Sequence, residues 1–349
     1  MQYIRFLKAP RFSGNTISAL ITITSDLGES FMHRDSVVIG TVRYKDGGGA
    51  AIARKEFTWK AGMRSLKVEI PVRAGAARGE PVVLQVSTSD SATVDPLLGS
   101  GINIMSVWSS PFVLKAGEVG ERELVERRLN IGRKMHLSVW EETKNSIALH
   151  IWDAGVALVA HMARVLSSTR KPDGPQLGAL DTLLQGSQRI NVLELGSGCG
   201  IVGLALSQLR PNSHVVLSDL PLASEISAKN ISSHTEISFC ALDWDLPIPL
   251  DIAAQRFDLI LVADCMYNVD AAPALVNVIT TLLRVSPRAL LTVAHKHRHE
   301  SEERFRSLLE VFGIVQVDQA LVALGEEDDE LETSEIELYT MQLNPEAGG

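Results

Sequence analysis

Cysteine is scarce: Cys199, Cys240 and Cys265 are the only three in 349 residues, and none stands in C-x-x-C or C-x-x-H spacing. That excludes a disulfide framework and a structural zinc site, and a reduced, intracellular chain is expected. No apolar run approaches the ~18 residues a membrane span needs. The opening MQYIRFLKAPRF has basic residues but no continuous apolar stretch, so no secretory signal is expected. Internal repeats are lacking as well. What is present is globular in texture, with 45% hydrophobic and 21% charged residues. That is enough apolar material for a sizeable core and too little charge excess for disorder. The length corresponds to about two domains.

Excess positive charge is missing from the second half. Residues 1–134 carry 19 Lys and Arg against 13 Asp and Glu, and residues 135–349 carry 14 against 29. Phosphate binding needs a basic footprint, which disfavours a nucleic-acid partner for that half. An acidic half suits a basic partner such as a lysine-bearing protein surface, and it also serves plain solubility.

The first ~115 residues read as β structure. Residues 16–24 (TISALITIT), 37–44 (VVIGTVRY), 64–72 (RSLKVEIPV) and 82–88 (VVLQVST) are β-branched and often alternate apolar with polar side chains. Turn signals at 45–49 and 74–76 separate them, and several short strands at this spacing predict a β-sandwich-like domain over 1–118. It is either a docking module or a stabilising appendage. A second domain is expected over 119–349. It opens with a linker and helices at 119–166. The charged stretch 118–134, with GERELVERR, reads as helix or linker, and 146–166 carries apolar residues on a helical period. Residues 167–188, rich in Ser, Thr, Gly, Pro and Gln, read as an exposed loop.

From 189 to 343 strands alternate with helices. Strands are predicted at 191–195, 215–218, 237–241, 257–263, 289–294, 314–322 and 335–343, with helices at 200–209, 222–232, 271–285 and 300–312. The fold class is therefore α/β: a Rossmann-like seven-stranded domain preceded by an all-β domain. In such a sheet a ligand binds at the carboxyl ends of the strands, so the chemistry belongs just after Leu195, Ser218 and Ala263.

The first of these ends carries Glu194-Leu195-Gly196-Ser197-Gly198-Cys199-Gly200. Its glycines let backbone approach a ligand where a β-carbon would collide. A dinucleotide-binding G-x-G-x-x-G starting at Gly196 would need glycine at 201, where Ile201 stands. The pattern here is E-x-G-x-G-x-G, the form used by S-adenosylmethionine enzymes. Its partner is Asp219, which ends the second strand 23 residues after Gly196. A carboxylate there can accept from both ribose hydroxyls and would repel a 2′-phosphate. Taken alone, Asp219 also reads as a helix cap.

Four segments together resemble the seven-strand protein-lysine methyltransferases of methyltransferase family 16, close to the methyltransferase-like-21 group. They are Ile151-Trp152-Asp153-Ala154, the ELGSGCG loop, Leu242-Asp243-Trp244, and Ala263-Asp264-Cys265-Met266-Tyr267. The likeness spans about residues 136–343. It implies S-adenosylmethionine as cofactor, with contacts from Trp152, Glu194, Gly196, Ser197, Gly198, Asp219, Trp244 and Ala263. Trp152 would lie on a helix lidding the methionine end, and Trp244 would pack near the adenine. Ala148, Leu149 and His150 stand where the family usually shows small or glycine residues, and Gly155 where alanine is commoner.

Asp264-Cys265-Met266-Tyr267 matches the family's D-x-x-Y pattern at the fourth strand end. The resemblance implies that Asp264 orients the acceptor amine or stabilises its developing charge, and that Tyr267 forms an aromatic wall. Asp264 also reads as a cap and Tyr267 as core. Cys199, Cys240 and Cys265 read as small buried side chains, since no histidine stands near them in sequence. His295, His297 and His299 alternate and would share a strand face, but the stretch 294–300 reads as a solvated basic loop beside the substrate mouth. The acidic run 325–332 reads as a hairpin tip or a lure for a basic substrate.

The function expected is S-adenosylmethionine-dependent methylation of a lysine on a protein. The resemblance implies chaperones, AAA-type ATPases or elongation factors as substrates. The alternatives are another acceptor, either a protein histidine or a small molecule, and a non-catalytic module of the same fold. No metal, nucleic acid or membrane partner is expected. The setting is cytoplasmic, with the nucleus open, and the sequence leaves the oligomeric state undetermined.

Overall fold

Residues 1–45, 50–73, 75–77, 79–88, 94–97, 104–115, 119–120, 123–132, 135–143, 147–167, 174–267, 269–298, 303–324 and 335–344 are described by a computed structural model. The turn signal at 46–49 and the acidic run 325–332 lie outside the described residues. The chain divides into two compact units, Met1–Asn130 with Lys134–His150, and Ile131–Arg133 with Ile151–Gly349.

The first unit is all β: β1 (Gln2–Ser13), β2 (Thr16–Thr24), β3 (Ser36–Tyr44), β4 (Ala53–Trp59), β5 (Leu66–Pro71), β6 (Val82–Ser87), β7 (Asp95–Pro96), β8 (Ile104–Met105), β9 (Val107–Ser109), β10 (Leu124–Gly132) and β11 (Met135–Glu142). One sheet runs β5-β2-β1-β8. The other runs β11-β10-β9-β6-β3-β4, with β7 beside β10. Alternation builds the core. Ile17, Ala19, Ile21 and Ile23 of β2 turn inward with Val68 and Ile70 of β5, and meet Val38, Val42, Leu84, Val86 and Trp59 from the other sheet. Each such aliphatic side chain, once buried, contributes about 1.5–3 kcal/mol. This is the expected two-sheet sandwich.

The expectation of a helix or linker over 118–134, and of a domain boundary at 118, is corrected. Residues 124–132 and 135–142 are the strands β10 and β11 of the sandwich. Val125, Arg127, Leu129 and Ile131 of β10 are all buried, a period of two in which an arginine takes one inward place. Its charge is met from β11, where Leu137, Val139 and Glu141 are buried in the same alternation. Arg127 Nε donates to Glu141 Oε1 at 2.7 Å.

The second unit holds α1 (Asp153–Ser167), α2 (Gly178–Gln185), β12 (Ile190–Leu195), α3 (Ile201–Leu209), β13 (Ser213–Asp219), α4 (Ser224–Ile231), β14 (Ile237–Ala241), α5 (Leu250–Ala254), β15 (Leu259–Ala263), α6 (Ala272–Val285), β16 (Leu290–Lys296), α7 (Glu303–Val311), β17 (Ile314–Ala323) and β18 (Glu335–Leu343). The seven-stranded sheet runs β14-β13-β12-β15-β16-β18-β17. β18 alone runs opposite to the other six strands. Strand order reverses between β12 and β15, which places a ligand crevice over their carboxyl ends. On one face Leu193, Leu195, Ile260, Val262, Leu291 and Val293 form a core with α5, α6 and α7.

Residues 167–188 are not wholly loop: Leu177, Leu180 and Leu184 are buried, and α2 forms around the last two. Their apolar period is short and set among polar and small residues, and Asp318 Oδ2 accepts the Ala179 N–H at 2.8 Å. Among the described residues no helix is long and apolar enough to cross a membrane.

Candidate active site

Between the end of β12 and the start of α3 the backbone turns through three glycines of positive φ: 63° at Gly196, 55° at Gly198 and 79° at Gly200. Gly196 is tightly confined. A β-carbon there would lie 2.5 Å from Cys265 Sγ and 3.2 Å from Trp244 Cζ2, so the position admits only glycine. One residue thus brings together the glycine loop, the Leu242-Asp243-Trp244 segment and the D-x-x-Y turn. Cys265 is packing, as expected: its thiol reaches Leu195 O at 3.3 Å and Ala263 O at 3.4 Å. Burial, with nearby carboxylates, raises its pKa well above the ordinary thiol value, the reverse of an activated nucleophile.

The loop is braced from β13 and α4. Ser197 N–H donates to Ser218 O at 3.0 Å, Ser218 Oγ to Glu194 O at 2.7 Å, and Asn230 Nδ2 to Cys199 O at 2.8 Å. Asp219 points at the loop: Oδ2 accepts the Gly198 N–H and Oδ1 the Leu220 N–H, both at 2.7 Å. Burial raises its pKa against the opposing pull of those two amides. Each oxygen keeps further acceptor capacity, enough for a vicinal diol. Ser197 Oγ is buried with no hydrogen-bond partner among the described residues. A satisfied interior rarely leaves such a group, and it fits a site that awaits a polar ligand. The confined glycine, the aimed carboxylate and the spare hydroxyl together fit a nucleoside cofactor.

Glu194 faces elsewhere. Along β12 the odd-numbered Leu193 and Leu195 turn to the α6 side. Glu194 therefore turns to α3, where its Oε2 accepts the Gly203 N–H at 2.7 Å. Burial pushes its carboxyl up to about 8, the Gly203 bond opposes this, and the Asp219 charge adds to it. Its place is beneath the loop, supporting α3, rather than on the ligand side.

Ala263 ends β15 and pairs with Ala294. Asp264 follows at φ +54°, in the left-handed region. Its N–H donates to Ala294 O at 2.9 Å, its Oδ1 accepts the Lys296 N–H at 3.2 Å, and Arg298 grips both oxygens at 3.1 and 3.0 Å. Lys296 Nζ donates to Asp153 Oδ2 at 2.7 Å, with the Asp153 side chain fully buried. The Arg298 guanidinium lies 5.6 Å from the Trp152 ring centre. The stretch 294–300 is therefore not a solvated loop as far as 298: β16 continues to Lys296, and its two cations reach two buried carboxylates. The i, i+2 spacing weighed for the histidines applies instead to Lys296 and Arg298, and that was the available signal. His295 is buried and His297 exposed, with rings 6.1 Å apart. His299 lies outside the described residues. No cluster of three or more metal-ligating side chains occurs among the described residues.

Trp152 stands just before α1 rather than on it, and its carbonyl accepts the Val156 N–H at 3.1 Å. Gly155, one turn in, lets α1 approach α3: a β-carbon there would lie 3.3 Å from Ile201 Cγ2. Tyr267 closes the short 3-10 turn Cys265–Tyr267, and its side chain lies outside the described residues. Beside Met266, on the α7 side of the strand ends, a cavity of about 360 Å³ is walled by His295, Glu310, Tyr339 and the Arg306–Glu337 pair, whose ions are 2.6 Å apart.

Comparison with known proteins follows this geometry. The lysine methyltransferase family model matches residues 132–312. A UPF0665 family protein of Schizosaccharomyces pombe is 28% identical over 304 residues, covering 83% of this chain and 86% of that protein. EEF1A lysine methyltransferase 3 of Xenopus tropicalis is 34% identical over 122 residues, covering 34% of this chain and 53% of that protein. Protein N-lysine methyltransferase METTL21A of Danio rerio is 29% identical over 166 residues, covering 46% and 65%. With more than half of the chain matched by the family model, and with its sheet and glycine loop arranged as described, the chain belongs to the lysine methyltransferase family and is an enzyme of protein-lysine methylation.

Proposed function

We propose that S-adenosylmethionine binds across the ends of β12, β13 and β14, and that the acceptor is a lysine ε-amine of a protein of the elongation-factor, chaperone or AAA-type ATPase class. The observation that carries the cofactor reading is Asp219, held on the Gly198 amide beside the Gly196–Trp244 contact. Asp219 accepts from the ribose hydroxyls, in the strong charge-assisted class. Trp244 offers an indole face to the base. The backbone from Gly196 to Gly198 and the Ser197 hydroxyl receive the amino-acid end, with Trp152 and Ala263 as walls.

When bound, S-adenosylmethionine supplies a methyl group on a positively charged sulfur that a neutral amine displaces in line. A free lysine has pKa ~10.4 and is almost wholly protonated at neutral pH. Burial in a narrow approach favours the neutral amine. Asp264 orients its remaining N–H groups. Positioning alone can contribute roughly 7–11 kcal/mol, so no strong base is required. The acidic charge balance of residues 135–349 suits a basic partner. The elongation-factor class is supported by the name of the Xenopus tropicalis relative. Three cysteines that form no disulfide accord with a reducing cytoplasmic or nuclear setting.

Incubating the full chain with methyl-labelled S-adenosylmethionine and lysate proteins tests this. Label should appear on lysine and vanish with Asp219→Ala. Label on histidine or on small molecules alone overturns the acceptor. Cofactor binding with no labelling assigns the chain a non-catalytic role.

A further inference from the structure

Arg298 has no part in the motifs that carry the family likeness, yet its guanidinium binds the one carboxylate placed at the point of transfer. Two of its nitrogens reach the two Asp264 oxygens at 3.1 and 3.0 Å. The Asp264 side chain is 2% exposed and that of Arg298 15%, so the pair interacts largely out of water, where Coulomb forces are much stronger than at a surface. Asp264 also holds a left-handed backbone, a conformation that persists only where its surroundings over-determine it. The same guanidinium lies against Trp152. One cation therefore joins the D-x-x-Y turn to the Trp-Asp-Ala step.

A bare carboxylate at this position has the wrong chemistry for the reaction proposed above. It would hold an arriving amine as ammonium and raise the pKa of a group that must be neutral to attack. Lys296 Nζ donates to Asp153, and Asp219 is turned to Gly198. We propose that Arg298 is a positioning residue for methyl transfer. It neutralises Asp264 and fixes both carboxylate oxygens, so the acceptor amine is oriented by them without being trapped as ammonium. The role rests on the cofactor and acceptor reading above.

The test compares three ligands on the full chain by isothermal titration: S-adenosylmethionine, S-adenosylhomocysteine, whose sulfur is neutral, and sinefungin, in which an amine-bearing carbon replaces the methylated sulfur. Arg298→Ala bares Asp264, so sinefungin should tighten about tenfold relative to S-adenosylhomocysteine, the gain of one charge-assisted hydrogen bond. Arg298→Lys keeps the charge and should leave the ratio as in wild type. Asp264→Asn combined with Arg298→Ala should return it there. Arg298→Gln, which keeps the bulk and loses the charge, carries the same expectation if the alanine variant does not fold. An unmoved ratio, or an equal loss for all three ligands, overturns the role of Arg298. A wild-type chain that binds none of the three overturns the cofactor reading itself, and this proposal with it.

Discussion

Among the described residues, each unit contains a desolvated arginine–carboxylate pair that bears comparison with the other's. Arg127 and Glu141 sit on neighbouring strands of the sandwich with side chains 0% and 4% exposed. Arg127 also donates to Ser106 O at 2.7 Å. Both residues lie on regular strands and simply occupy inward places in an alternating pattern. Arg298 and Asp264 are nearly as dry, but the guanidinium keeps an edge in solvent, the carboxylate sits on a left-handed residue, and a tryptophan of a cofactor motif lies alongside. The first pair replaces apolar packing and satisfies strand-end carbonyls. The second holds the Asp264 turn in one shape, with the guanidinium side still meeting solvent. Burial and charge alone do not separate architecture from chemistry; access and backbone strain do.

The largest expected effect breaks the sealed pair. Glu141→Ala leaves Arg127 buried and unmatched and should cost about 3–5 kcal/mol. A denaturant midpoint followed by circular dichroism reads this, and S-adenosylmethionine affinity should stay unchanged. Replacing both partners, as Arg127→Met with Glu141→Leu, should be nearly neutral; a large loss there would give the pair a role beyond filling the sandwich. Next comes Gly196→Ala, whose methyl group meets Cys265 and Trp244 in a left-handed turn. Cofactor affinity by titration should fall by about 100-fold, and stability by about 1–3 kcal/mol.

A smaller effect separates the units by pH. Burial pushes Asp95 up to about 6 and Glu194 up to about 8. Hydrogen bonds from Ser106 and Gly203 oppose these shifts. Both groups favour their protonated form in the folded chain, so the folded state binds more protons than the unfolded one. Their contribution to stability is therefore fullest at low pH and falls as pH rises, from 3.8 to about 6 for Asp95 and from 4.5 to about 8 for Glu194. Denaturation across pH should lose the first slope in Asp95→Asn and the second in Glu194→Gln. Smallest is Gly155→Ala. A helical gain of about 1 kcal/mol is offset by the tight contact with Ile201. The melting temperature should barely move.

What the sequence revealed, and what it hid, follows from how each element is stabilised. The strands at 16–24 and 237–241 are found with those same bounds, because β-branched residues and turn signals mark them directly. The glycine loop and Asp219 were legible because a motif of confined backbone allows few residue types. The strand β10 was hidden because its inward place at 127 is an arginine, which imitates a solvated helix face until Glu141 is seen opposite. Glu194 was assigned to the ligand by motif, whereas strand parity turns it to α3. Arg298 was hidden for a different reason. Its partner lies 34 positions away in sequence, and nothing local signals which carboxylate a cation will find.

The sheet order has a further consequence. β18 lies between β16 and β17, both of which precede it in the chain, and it pairs Ile336 with Lys296 and Glu337 with His295. While a ribosome is still making residues before 335, β16 has an unzipped edge and the segment bearing Lys296 and Arg298 is not yet anchored on that side. The clamp on Asp153 and Asp264 is therefore completed only late in synthesis, after every residue of the glycine loop has been made.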